Sequence, residues 1–199
     1  MIEYKGRRFE VFPNVYEPSD DSFLLLEHLE VKPRDCVLDI CTGSGILAIT
    51  ASEKVSRVVA CDISPEAIKC ATHNMKLNNV KNMKIIESNL FENIDEKFDL
   101  ILLNPPYLPS DPDEPEHELK KAWDAGKDGR DIIDQFIDDV TDHLKLNGRI
   151  QLIQSSLNDP NKTLRRLEEK GLISEITAKE KFFFEELFVI SAERRRKNA

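Results

Sequence analysis

The run Phe98-Asp99-Leu100-Ile101-Leu102-Leu103 constrains the fold more than any other stretch of the chain. A strand apolar on both faces has to be covered on both faces, and the usual cover is a layer of helices on each side of a parallel sheet. The surrounding pattern agrees, because strand-like and helix-like segments alternate along the chain and such alternation predicts βαβ units. Strands are expected at residues 36–40, 57–61, 84–86, 99–103 and 149–153. Helices are expected at 44–54, from Pro65 to about residue 77, and over 129–144. A further helix should start at Asp159-Pro160 and be closed by Gly171. Ser64-Pro65 has the form of an N-cap followed by proline at the first helical position. A short hairpin is expected around Lys5-Gly6, and two apolar stretches end the chain, near 172–176 and 184–190.

With 199 residues, 40% of them hydrophobic, the chain can bury one substantial core, so one domain over 1–199 is expected. No apolar segment is long enough to span a bilayer, and the basic start Met1-Ile2-Glu3-Tyr4-Lys5-Gly6-Arg7-Arg8 leads into no apolar signal core. A cytoplasmic protein is the expectation. The formal net charge of -9 argues against a broad nucleic-acid surface, which needs Lys and Arg to neutralise phosphates. Arg194-Arg195-Arg196-Lys197 reads as a solvated basic tail over 194–199. Cys36, Cys41, Cys61 and Cys70 lack the two-residue spacing of zinc or redox motifs, and the four histidines are scattered, so no metal is expected.

Directly after the apolar run stands Asn104-Pro105-Pro106-Tyr107. Prolines fix φ and carry no N–H, so such a loop offers carbonyl oxygens without competing donors, and the residue before each proline is held extended. The rim can accept two hydrogen bonds from one planar NH2 group, at the Asn104 side-chain oxygen and the Pro105 carbonyl. Tyr107 supplies a flat face behind that nitrogen. Beyond it lies a loop dense in prolines and carboxylates, 109–118, at a place where open α/β sheets bind ligands.

Asp39-Ile40-Cys41-Thr42-Gly43-Ser44-Gly45 falls where the first strand turns into its helix, and its glycines let backbone approach a ligand while the helix start offers free N–H groups. Asp62 ends the second strand, placed for a ribose diol. Together these point to an adenosine-containing cofactor. Gly43-Ser44-Gly45-Ile46-Leu47-Ala48 also fits a dinucleotide fingerprint, which keeps an NAD-dependent oxidoreductase open. The NH2-gripping rim favours methyl transfer from S-adenosylmethionine, since hydride transfer has no use for it.

These residues resemble the HemK-type class I methyltransferases, in particular the branch that modifies the glutamine of the Gly-Gly-Gln motif in class-one translation termination factors of archaea and eukaryotes. The resemblance runs through Tyr16-Glu17-Pro18-Ser19-Asp20-Asp21-Ser22, the residues from Leu38 to Gly45, Cys61-Asp62-Ile63-Ser64-Pro65, the Asn104 tetrapeptide, Ala122-Trp123, Gly126 and Gly129-Arg130-Asp131. It implies a Rossmann-like α/β fold with a seven-stranded, mostly parallel sheet, an antiparallel last strand and helices on both faces. It implies a hairpin and helix over 1–30 that cover the cofactor site. By the same resemblance Ser22, Asp39, Cys41, Gly43, Gly45, Asp62, Asn89, Leu90 and Asn104 border S-adenosylmethionine. Asn104, Pro105, Pro106 and Tyr107 carry catalysis and hold the substrate. Cys41 departs from the usual loop glycine, and Asn89 stands where the family has an aspartate, so weakened cofactor binding is expected.

The rival acceptor is the amino group of DNA adenine or cytosine. The carboxylates at 111–118 would repel a duplex, so a protein acceptor is favoured. A binding module with a vestigial cofactor site is the non-enzymatic alternative. The third strand, around Lys84-Ile85-Ile86, is expected at a sheet edge, where the resembling branch pairs with a small zinc-binding activator subunit.

Overall fold

The computed structural model of the chain describes residues 1–108 and 125–195. A short hairpin comes first, β1 (Ile2–Tyr4) against β2 (Arg7–Phe9), closed at Lys5 and Gly6, both at positive φ. Then follow α1 (Asp20–Glu27), β3 (Cys36–Ile40), α2 (Ile46–Ala51), β4 (Arg57–Asp62), α3 (Pro65–Leu77), β5 (Met83–Glu87) and β6 (Phe98–Leu103). The second half holds α4 (Asp131–His143), β7 (Leu144–Ser155), a 3-10 turn at Ser156–Asn158, α5 (Pro160–Glu169), β8 (Ile173–Lys181) and β9 (Glu186–Glu193).

The main sheet has seven strands in the order β5-β4-β3-β6-β7-β9-β8. Its β3, β4, β5, β6 and β7 neighbours pair in parallel, and β9 runs antiparallel to β7 and β8 on either side. The seven-stranded, mostly parallel sheet with a reversed last strand is therefore present, and β5, the expected third strand, lies at its edge.

The central apolar strand behaves as its composition demands. Leu100 and Leu102 pack into one core layer, with Leu25 of α1 and Ile49 of α2. Ile101 and Leu103 pack into the other, with Phe136 and Ile137 of α4 and Leu167 of α5. All four strand residues are fully buried, each contributing roughly 1.5–3 kcal/mol of apolar transfer energy. Asp99 is the exception in the run. Its carboxylate sits at the strand's start, where it accepts from Cys36 N at 2.8 Å and pairs with Lys145 Nζ at 2.7 Å.

Some boundaries move. The helix expected over 44–54 is only Ile46–Ala51, because Gly45 caps it in a left-handed conformation with φ 82°. The strand expected over 149–153 extends to Leu144–Ser155, since Asn147 N donates to Arg194 O and Arg194 N to Gly148 O, prolonging the ladder with the chain end. Ser64 caps α3, its hydroxyl accepting from Ala67 N at 3.3 Å. The acidic loop over 109–118, Ala122-Trp123 and the tail from residue 196 lie outside the described residues. No helix of the described residues is long and apolar enough to cross a membrane.

Candidate active site

The sheet order reverses direction between β3 and β6, and ligands of open α/β sheets bind at such a switch point, outside the carboxyl ends of the strands. A cavity of about 500 Å³ opens there. Its wall is built from residues following β3 (Cys41, Thr42, Gly43), the end of β4 (Asp62, Ile63), the segment after β5 (Ser88, Asn89, Leu90), the tetrapeptide after β6, and the α1 region (Tyr16, Asp21, Ser22).

Most of the predicted site residues meet at this wall: Ser22, Cys41, Gly43, Asp62, Asn89, Leu90, Asn104, Pro105, Pro106 and Tyr107. Asp39 and Gly45 do not reach it. Asp39 is fully buried behind the loop, where one carboxylate oxygen accepts from Thr42 Oγ1 at 2.6 Å and from Ala48 N at 3.1 Å. Its other oxygen has no partner. Gly45 serves packing: a Cβ there would come to 3.2 Å from the Ala71 side chain, so the glycine lets α2 approach α3.

The glycine loop spends several backbone donors inside the protein. Gly43 N donates to Asp62 Oδ2 at 2.9 Å, Thr42 N to Cys61 O and Gly45 N to Thr42 O. The Ala48 N–H near the start of α2 is taken by Asp39, which leaves fewer donors for a pyrophosphate. Charge points the same way. Asp21, Asp62 and Glu66 line the cavity, and no Lys, Arg or His does so among the described residues. Such a wall attracts cationic ligands and repels a dinucleotide's phosphates.

Burial, helped by the nearby Asp62, pushes the Asp39 carboxyl up to about 7 despite the bonds from Thr42 and Ala48 that oppose it. A raised folded-state value means that the native chain holds a proton the unfolded chain has released, so this group's contribution to stability falls as pH rises from the ordinary carboxylate range to about 7. The slope across that window is about 1.4 kcal/mol per pH unit. Asp39→Asn keeps an acceptor for Thr42 and Ala48 and should flatten the pH dependence of the melting temperature between pH 5 and 7.5. An equal slope in wild type and variant would refute the assignment.

Asn104 is oriented by a relay of side-chain hydrogen bonds. The Asp21 carboxyl, raised above its ordinary range by burial, accepts from Tyr16 Oη at 3.1 Å and from Ser22 Oγ at 3.0 Å. With its proton committed, Ser22 Oγ accepts from Asn104 Nδ2 at 3.0 Å. The Asn104 amide thereby spends its nitrogen on Ser22, leaving its oxygen as the acceptor for a ligand NH2. Behind the tetrapeptide, Asn158 Nδ2 donates to Tyr107 O at 2.6 Å, and the buried guanidinium of Arg130 donates to Asn158 O and to Asp159 O. Tyr16, Asp21, Asn158 and Arg130 escaped sequence reasoning as site residues. The only available signal was that Tyr16, Asp21 and Arg130 belong to the segments carrying the family resemblance.

Three cavity residues hold left-handed backbone without being glycine: Asn14 at φ 61°, Cys41 at φ 58° and Leu90 at φ 46°. Each such residue costs about 1–2 kcal/mol. Cys41 thus holds, where the usual loop has glycine, a conformation that glycine adopts without strain. Asn89 turns its amide nitrogen toward Glu92 Oε1 at 3.0 Å.

A family model described as methyltransferase small domain matches residues 14–183. A candidate protein N5-glutamine methyltransferase of Methanocaldococcus jannaschii is 47% identical over 195 residues, covering 96% of this chain and 98% of that protein. The release factor glutamine methyltransferase of Geobacter sulfurreducens is 30% identical over 189 residues, covering 89% of this chain and 66% of that protein. Among solved structures, the E. cuniculi Mtq2–Trm112 complex, responsible for methylation of the eRF1 translation termination factor, aligns with a TM-score of 0.73 at 24% identity, covering 91% of this chain and 99% of that chain.

Proposed function

The chain belongs to the methyltransferase small domain family and is an S-adenosylmethionine-dependent methyltransferase; we propose that its acceptor is the glutamine amide of the Gly-Gly-Gln motif in a class-one translation termination factor. The observation that carries this reading is the Asn104 amide, whose nitrogen is held by Ser22 beside a cavity lined by Asp21, Asp62 and Glu66.

The cavity suits this cofactor. Asp62 keeps spare acceptor sites beyond the backbone N–H groups of Gly43, Ser64 and Ile63 that it binds, and can take a ribose diol. Ile63, 64% exposed on the same wall, offers an apolar face to a purine. The carboxylates match a positively charged ligand. Asp62→Ala should raise the dissociation constant for S-adenosylmethionine by at least tenfold, read by calorimetry, with little change in melting temperature; unchanged affinity would remove Asp62 from the cofactor site.

When bound, S-adenosylmethionine supplies a methyl group already activated by its sulfonium. The protein's task is then to aim the acceptor. An amide nitrogen is a poor nucleophile because its lone pair is conjugated. The Asn104 oxygen and Pro105 carbonyl accept its two N–H bonds, fix the nitrogen and stabilise the positive charge that grows on it. Holding the reacting atoms in line is worth up to about 7–11 kcal/mol. Asn104 moves no proton, since its amide does not titrate near neutrality.

The whole chain acts as one domain, residues 1–30 cover the cofactor site, and the protein works in the cytoplasm. The edge strand β5 pairs only with β4 among the described residues and offers its outer N–H and C=O groups to a small activator subunit. The decisive assay offers labelled S-adenosylmethionine with a purified termination factor and, separately, with DNA. Label on the factor's glutamine supports the proposal, and label on DNA alone refutes it.

A further inference from the structure

We infer that the turn Phe183-Phe184 is the docking point for the protein that carries the acceptor amide, engaging an apolar patch on that protein outside the cavity. Phe183 is 92% exposed and Phe184 88%, their ring centroids 4.7 Å apart and nearly perpendicular. They are the two central residues of the turn between β8 and β9, which Phe182 N closes by donating to Glu185 O at 2.8 Å. Hairpin turns of this length normally carry Gly, Asn or Asp, for reasons of backbone conformation and solvation. Neither phenylalanine has a positive φ, and neither packs into a core cluster, so the fold itself gains nothing from them. Aromatic rings left in water at a tight turn gain their value only when another molecule covers them, and aromatic residues are enriched among the few that dominate protein interfaces.

The position of the turn identifies the occupant. Because β9 runs antiparallel to β7, with Ser155 opposite Leu187, the turn lies at the carboxyl end of β7, the side on which the cavity opens. A continuous path of contacts joins it to the tetrapeptide. Glu186 N donates to Ser156 Oγ at 3.1 Å; Ser156 begins the 3-10 turn that ends at Asn158; Asn158 holds the Tyr107 carbonyl. Leu157, 51% exposed, continues the apolar surface along that path. The Glu185 charge is near enough to help raise the Tyr107 phenol, after burial, Asp21 and Tyr16. A small acceptor bound at Asn104 would end inside the cavity. A folded protein presenting an amide there has to pass over this rim, and this inference rests on the acceptor being such a protein.

The test compares a purified termination factor with a short free peptide containing Gly-Gly-Gln, for wild type and for Phe183→Ser/Phe184→Ser. The expected result is a KM for the factor at least tenfold higher, kcat within twofold, and unchanged kcat/KM for the peptide. Phe183→Asn/Phe184→Gly supplies residues that a hairpin turn prefers, so the same loss there with an unchanged melting temperature excludes misfolding. Equal KM values for the factor in wild type and variants would overturn the docking surface alone. So would equal losses on factor and peptide, or a wild-type dimer in sedimentation that the variants dissociate. Failure of the wild-type enzyme to modify the factor would instead overturn the proposed acceptor, and the docking surface with it.

Discussion

Replacing Asn104 with alanine should lower kcat for methyl transfer by about 10²–10³, the usual cost of removing one preorganised hydrogen-bonding group at a reacting centre. Melting temperature should change little, because Asn104 is partly exposed on the cavity wall and its side-chain bonds are confined to the neighbouring pair Asp21 and Ser22. Asn104→Asp is the sharper variant. It keeps two acceptor oxygens for the substrate, yet it removes the only donor that Ser22 Oγ can accept from, since the Ser22 proton is already given to Asp21. An aspartate would bring two lone pairs together at Ser22 and add a charge beside Asp21. Single-turnover rates for both variants decide the matter: if Asn104→Asp retained wild-type kcat, the relay through Asp21 and Ser22 would have no part in orienting residue 104.

Gly129→Ala should be strongly damaging, costing about 2–4 kcal/mol from left-handed strain and overpacking together. Gly129 has φ 67°, and a Cβ there would overlap both the Tyr107 carbonyl oxygen and Asn158 Nδ2, the two ends of the bond that pins the tetrapeptide. Any relaxation has to displace the rim. Loss of kcat should therefore accompany the fall in denaturation midpoint. An Asn158→Ala variant separates the two effects, because it frees the Tyr107 carbonyl without adding volume. A Gly129→Ala protein with native midpoint and native kcat would show that the clamp has no hold on the rim.

The parts of the fold legible in the sequence are those that local pattern determines. Leu100 to Leu103 announced a strand buried on both faces, Ser64-Pro65 a helix start, and Lys5-Gly6 a hairpin turn, because each depends on neighbours within a few residues. The length of α2 was not legible: a glycine at the end of a loop and a glycine that caps a helix look alike until Gly45 is seen against Ala71. The site divides along the same line. Asp62 and Asn104 stand at the ends of recognisable strands, whereas Asp21 and Ser22 meet Asn104 only after 82 residues of chain have folded between Ser22 and Asn104, and Asn158 reaches Tyr107 across 51. Asp39 shows what a motif position leaves unsaid: one of its carboxylate oxygens is turned back to hold Thr42 and Ala48.

The hydrogen bond from Ala125 N to Leu108 O, 3.0 Å long, pinches the chain immediately after the tetrapeptide. Leu108 and Ala125 are thereby fixed to each other, and the clamp formed by Gly129, Arg130 and Asn158 follows Ala125 in the chain. In engineering terms this is a socket. Closing a chain segment costs only about 0.6 kcal/mol more for each doubling of its length, so grafted segments of different length and charge between 108 and 125 should leave Tyr107 anchored from behind by Asn158.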